Sequence, residues 1–243
     1  MNNMDNKNNT FLIKTIISVF FLLMTLSSHA LQMNPLSLVL KPSGGGAKQS
    51  VRVSNESNKP IAVQFSVTTR QQINNKEVRK PADKDFMIYP PQTIIPANST
   101  QRVRVEWLGP GQLPREQAYR LIAEQVYVSL EEKNTTGVKM LMTLVGALYV
   151  QPNGTKSNLV VKGVQRQGNK LAITVANTGN KHQLMRYATL ILRNGGQTIQ
   201  LKGNQILGLE GNNVLGGATK RFFIPLPKNF RDGAWKAEIK YPK

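Results

Sequence analysis

The chain contains no cysteine, so neither a disulfide framework nor a thiol nucleophile is available, and stability must come from burial. Histidine is almost as scarce: His29 lies in an apolar N-terminal segment, and His182 is the only one beyond it. Acidic residues number 13 against 32 lysines and arginines. With so few members, neither a metal cluster nor a Ser/His/Asp relay can readily assemble. No catalytic residue, cofactor or metal is therefore expected, and a secreted hydrolase ranks last among the possible readings. No long segment carries a helical stripe of apolar residues, and no low-complexity tract stands out.

The longest apolar run is "FLIKTIISVFFLLMTL", placed behind a polar, lysine-bearing start and ahead of "SSHA". It reads as a secretory signal peptide over residues 1–30, cut after Ala30, because it is short, interrupted by Lys14 and closed by small residues. Export to the periplasm follows, with no stable membrane insertion after cleavage. Losing Lys7, Lys14 and Asp5 with the leader lowers the formal charge from +19 to +18. "RVRVEWL", with Trp107, superficially suits nucleic acid. Export and the scatter of the lysines argue against that partner and for a general basic face toward acidic proteins or an anionic membrane.

Alternating apolar and polar residues recur in "SVRVSN", "IAVQFSVTT", "QRVRVEWL", "YRLIAEQVYVSL", "LAITVANTG" and "KAEIKY". Period two is the mark of a half-buried strand. Turn-forming clusters such as "KPSGGG", "SNESNKP", "YPPQ", "LGPGQLP" and "RNGGQ" separate them at sandwich-like intervals. The expected fold is all-β. "VQPNGTKSN" at 150–158 breaks the chain into a first domain over 31–152 and a second over 153–243, each about the size of an immunoglobulin-like sandwich. "SGGGAK" precedes a strand instead of a helix, so it reads as a turn and not as a phosphate cradle. His182 reads as a loop residue, and Tyr119, Phe222, Phe223 and Trp235 as core aromatics.

The unusual stretch is "VKMLMTLVGALYV", residues 138–150, which is apolar on both faces and holds a single charge. Val138, Met140, Met142 and Leu144 share one face, and Lys139, Leu141, Thr143 and Val145 the other. As the last strand of the first domain it can be an edge, and a long apolar edge without charge or proline invites pairing with another chain.

In order along the chain, the leader, "YPPQTIIPANSTQRVRV" (89–105), "YRLIAEQV" (119–126), the apolar strand ending "ALYVQP" (147–152) and "NTGN" (177–180) resemble the landmarks of PapD-like periplasmic chaperones of the chaperone-usher pilus pathway. The resemblance covers essentially the whole chain after the leader. It implies two immunoglobulin-like sandwiches in a boomerang arrangement, a pilus or fimbrial subunit as partner, and an outer-membrane usher as recipient. It also implies that Val138, Met140, Met142 and Leu144 are lent to a subunit lacking one strand of its own. On this reading Thr143, on the opposite face, points into the chaperone's own core.

The better-known branch of that family holds the subunit's C-terminal carboxylate with an arginine on the first strand and a lysine near the end of the lent strand. Here the first strand reads "NPLSLVLK", and Ala147 stands where the lysine would be. The departure resembles the archaic branch, whose basic anchor lies elsewhere. Arg102, Arg104 and Arg120 are the candidates, since a guanidinium fork grips a carboxylate with two charge-assisted bonds. A competing reading is an exported two-domain β protein of structural or adhesive kind, its apolar strand covered within the chain or by a second copy.

Overall fold

The computed structural model describes residues 31–127 and 140–242. The first part contains β1 (Leu31–Asn34), β2 (Ser37–Leu40), β3 (Lys48–Asn55), β4 (Ile61–Thr69), β5 (Gln71–Ile73), β6 (Lys76–Val78), β7 (Phe86–Tyr89), β8 (Gln92–Ile95), β9 (Ser99–Trp107), β10 (Gln117–Val126) and β11 (Thr143–Val150). Two sheets, ordered β1-β3-β9-β7 and β2-β11-β10-β4-β8, face each other, and β5 pairs with β6 as a separate hairpin.

Alternation decides which side of each strand is inside. In β9, Val103, Val105 and Trp107 are buried while Arg102 and Arg104 face outward. From the opposite sheet Val63, Val67, Leu121, Ala123, Leu148 and Val150 meet them in one core. Each fully buried valine or leucine there contributes about 1.5–3 kcal/mol. Phe86, Trp107 and Tyr119 pack edge-on or tilted, with centroids 4.8 to 5.8 Å apart. Trp107 also donates its indole N–H to the Pro110 carbonyl at 3.1 Å. That tryptophan is a core residue and offers no face to a nucleic-acid base.

The N-terminal strand serves both sheets. β1 runs antiparallel to β3, the chain bends at Pro35 and Leu36, and β2 then runs parallel to β11, pairing Ser37–Leu40 with Ala147–Val150.

The second part contains β12 (Leu159–Gln167), β13 (Lys170–Asn177), β14 (Gln183–Leu184), β15 (Thr189–Asn194), β16 (Gln197–Lys202), β17 (Asn213–Val214), β18 (Thr219–Pro225) and β19 (Lys236–Lys240). The sheets β12-β13-β18 and β16-β15-β19 enclose a separate core built on Leu171, Ile173, Leu190, Leu192 and Phe222. Trp235 stacks on Phe230 at 4.9 Å. Phe223 departs from expectation: following Phe222 on β18, it points outward and is 42% exposed. The chain is all-β, with two sandwiches.

The two sandwiches repeat one device that the sequence reading missed. Asn55 and Asn177 are both buried at the end of a strand, and each donates its amide to the carbonyl four residues on, Lys59 and Lys181, at 2.8 Å. Their side-chain oxygens accept nearby backbone N–H groups, from Ser57 in one case and from Asn158 and Gly179 in the other. The segments are "NESNK" and "NTGNK", so the same spacing closes the same kind of turn in both halves.

Candidate functional site

β11 is paired along its length to β10, from Thr143 opposite Glu124 to Val150 opposite Gln117. The contact extends one step further, because the Gln125 N–H donates to the Met142 carbonyl at 2.9 Å. On its other side β2 accompanies it only from Ala147 to Val150. Among the described residues, Thr143 to Gly146 therefore have a ladder on one side and an open edge on the other.

The apolar row changes environment along this strand. Val150 and Leu148 are fully buried, Leu144 and Met142 are half-buried against the first core, and Met140 is 87% exposed. The core row of the sandwich thus runs past the end of the sandwich into solvent. Gly146 interrupts the row for a packing reason: a Cβ there would meet the Met33 Cε at 2.8 Å and the Leu36 carbonyl oxygen at 3.2 Å. Val138 lies outside the described residues.

The structure corrects the assignment of faces. Leu141 and Val145 are 50% and 37% exposed, and Thr143, in the same row, is exposed too. Thr143 thus points to solvent, and it is the row of Met142 and Leu144 that touches the domain's own core. Both rows are apolar at their centre, and apolarity alone does not say which is inside.

The three candidate arginines are separated by the sheet order. Arg102 and Arg104 project from the outer face of the sheet that does not contain β11, and Arg104 is paired with Glu106 on its own strand. They stand away from the open edge, because alternation puts Val103 and Val105 inside and the arginines outside. Arg120 alone shares a sheet with β11. Its register partner on β11 is Ala147, the position left without a lysine.

Arg120 belongs to a cluster that the sequence reading missed. Its Nε and Nη2 donate to the two carboxylate oxygens of Glu77, on β6, at 3.0 and 2.6 Å. Arg79 donates to the same carboxylate at 2.6 Å and Arg70 at 2.8 Å. Partial burial pushes the Glu77 pKa upward, but the hydrogen bonds from Arg120 and Arg79 and the charges of Arg70 and Arg120 prevail and hold it at about 2. The carboxylate is ionised at any neutral pH. Three guanidinium groups on one carboxylate leave an excess of positive charge at the base of the open edge.

Arg70 is the fixed member, only 9% exposed. Its other donors reach the Tyr149 hydroxyl at 3.0 Å and the Asn213 side-chain oxygen at 2.8 Å, so it ties β11 to the second sandwich. Tyr149 also accepts from Asn213 Nδ2 at 2.8 Å and stacks on His182 at 3.9 Å. Burial raises the Tyr149 pKa, keeping the hydroxyl protonated. Glu116 holds His182 by the backbone N–H and by the ring Nδ1, at 2.9 and 2.8 Å. His182 is a loop residue as expected, and it is also part of the junction between the two halves. Only the fold brings positions 70, 77, 120 and 213 together.

Among the described residues, no three or more His, Cys, Asp or Glu side chains lie close enough to hold a metal ion, and no helix is long and apolar enough to cross a membrane.

The architecture is an N-terminal sandwich whose first strand serves both sheets, joined to a second sandwich, with one apolar strand left half unpaired among the described residues. The family described as pili and flagellar-assembly chaperone, PapD N-terminal domain, matches residues 30–156, and the chain belongs to it. Among solved structures, the fold is similar to that of the chaperone–tip adhesion subunit pre-assembly complex of archaic Csu pili from Acinetobacter baumannii, with 18% identity and a TM-score of 0.55 over 83% of this chain and 90% of that one. It is also similar to the Salmonella enterica SafA pilin–SafB chaperone complex, at 23% identity and a TM-score of 0.54 over 83% and 86% of the two chains. A class 5 fimbriae chaperone, CfaA, gives 16% identity and 0.54 over 88% of this chain and all (100%) of that one. Curated protein sequences offer no match. The protein is a PapD-like pilus-assembly chaperone.

Proposed function

We propose that this chaperone acts in the periplasm, lends β11 to a pilus subunit with an incomplete sandwich, and delivers the subunit to an outer-membrane usher. The observation that carries the reading is the open edge of β11 with an apolar row running off the end of the core. A subunit strand laid against Thr143–Gly146 extends the β2-β11-β10-β4-β8 sheet, and the row facing the chaperone's core then faces the subunit's core as well. Backbone hydrogen bonds give the contact its strength and the alternate side chains its selectivity. Met140, Met142 and Leu144 are the donor residues on this reading, with Val138 continuing the row. Burying the exposed Met140 is worth about 1.5–3 kcal/mol, and completing the burial of the half-buried Met142 and Leu144 correspondingly less. The two methionines suit grooves of more than one shape, because the thioether chain is unbranched and flexible.

Arg120 is the anchor for the subunit's C-terminal carboxylate. The support is its place opposite Ala147 in the strand register, which supplies a cation beside the position that lacks the lysine. This arrangement favours the archaic branch. The reading also keeps the domain limits at 31–152 and 153–243 and the leader at 1–30.

The test is co-expression of the mature chain with candidate secreted β subunits, pull-down from the periplasm, and a repeat with Met140→Asp/Met142→Asp. Capture by the parent and loss in the double variant is the expected result. A parent that captures no subunit and dimerises through β11 would instead establish the self-covered structural or adhesive reading.

A further inference from the structure

Glu77 has no part in the donor strand, yet it is the group on which the cation cluster is organised. It sits on β6, in a hairpin whose turn, Asn74 and Asn75, has φ of 49° and 67°. The hairpin is fastened to the second sandwich at three points. Gln72 donates its side-chain amide to the Asn213 carbonyl at 3.1 Å and accepts from the Leu215 N–H at 3.0 Å. Asn75 accepts from the Arg221 N–H at 2.7 Å. A chain of contacts therefore runs from the second sandwich through the hairpin and Glu77 to Arg120 and the base of β11.

Two roles are open to a carboxylate in this position: to be displaced by an incoming carboxylate, or to hold the arginines while a second carboxylate binds beside it. Burial decides between them. Displacement would strip Arg70, almost wholly buried, of its only anionic partner among the described residues. Leaving a buried charge unpaired is strongly unfavourable. Addition leaves that pairing intact, and the donor count permits it. Glu77 takes the Nε and Nη2 of Arg120, whereas Nη1 makes no hydrogen bond among the described residues. Opposite Arg120 on β11, Ala147 contributes only a methyl group. The local charge favours a second anion as well, with Arg70, Arg79 and Arg120 around one carboxylate.

We infer that Glu77 is a positioning residue: it holds the Arg120 guanidinium by one edge so that the remaining edge receives a second carboxylate at the base of β11, and the second sandwich, through Gln72 and Asn75, holds Glu77. This rests on Arg120 as the carboxylate anchor. The second sandwich then takes part in recognition without touching the carboxylate. The arrangement selects for a carboxylate end over an amide, since only the charged group answers the surplus cation.

The test uses the mature protein and a probe that does not depend on knowing the subunit. N-acetylglycine and its amide are titrated while the arginine Nε–H resonances are followed by NMR. In the parent, N-acetylglycine is expected to move the Arg120 resonance saturably and the amide is not. In Glu77→Gln the response to N-acetylglycine is expected to weaken at least tenfold, and in Gln72→Ala by a smaller factor, with Arg102 unresponsive throughout. Gln72→Ala leaves every ion pair in place, so it keeps the inference testable if Glu77→Gln does not fold. An Arg120 resonance indifferent to N-acetylglycine in the parent, or a Glu77→Gln protein that responds as well as or better than the parent, would overturn the inference. Either result leaves donor-strand capture standing if the co-expression experiment succeeds, and failure of that experiment counts against the proposed function instead.

Discussion

The two halves of β11 each carry one leucine and one valine and have opposite fates. From Ala147 to Val150 the strand is flanked by β2 and β10, and Leu148, Tyr149 and Val150 are buried. From Thr143 to Gly146 it is flanked, among the described residues, by β10 alone, and beyond it Met140 stands in solvent. Hydropathy does not distinguish them; what differs is where another strand happens to run alongside. The lesson is that an apolar segment can be a core or an open edge according to a neighbour some hundred positions away in sequence, here the N-terminal strand.

Stability measurements along the strand should expose that gradient. Leu148→Asp, in the closed half, places a charge in a fully buried site and is expected to cost about 4 kcal/mol or more, enough to abolish the cooperative urea transition of the first sandwich. A variant that unfolds like the parent would mean the closed half is not core. Gly146→Ala, at the border, must push Met33 aside and crowd the Leu36 carbonyl, for an expected loss of about 1–3 kcal/mol, read as a lower denaturation midpoint. No loss would show that the two strands can part there.

Tyr149→Phe sharpens the comparison from the other row. It removes the acceptor used by Arg70 and Asn213 and is expected to cost about 1–3 kcal/mol, with hydrogen exchange accelerated at both sides of the junction. Exchange unchanged at Asn213 would show that the hydroxyl does not tie the sandwiches together. Met140→Asp should do least to the fold, within about 0.5 kcal/mol of the parent, because the side chain is 87% exposed. Subunit capture should nevertheless fall at least about tenfold, the equivalent of 1.4 kcal/mol. A large loss of stability in this variant would place Met140 in the core and erase the distinction between the halves.

Much of this was legible in the sequence. Period-two alternation located most of the longer strands, because an antiparallel sandwich with one wet face writes its geometry directly into residue order. The apolar stretch drew notice for the same reason. Its inner and outer faces could not be told apart, since Leu141 and Val145 are as apolar as Met142 and Leu144 and only packing against the first core separates them. Arg102, Arg104 and Arg120 looked equivalent, each lying on an alternating strand. Sheet order separates them, and sheet order is a property of the whole chain. The Glu77 cluster was missed because its members are drawn from a strand end, a short hairpin, a long strand and the second sandwich. No local pattern links them.

The bend at Pro35 and Leu36 has a further effect. Because β2 begins to accompany β11 only at Ala147, the place where the N-terminal strand changes sheets acts as a ruler: it fixes how many rungs of β11 remain vacant. The length of open edge is therefore set about a hundred positions away from the residues that form it. Moving that bend would lengthen or shorten the open edge with every residue of β11 unchanged.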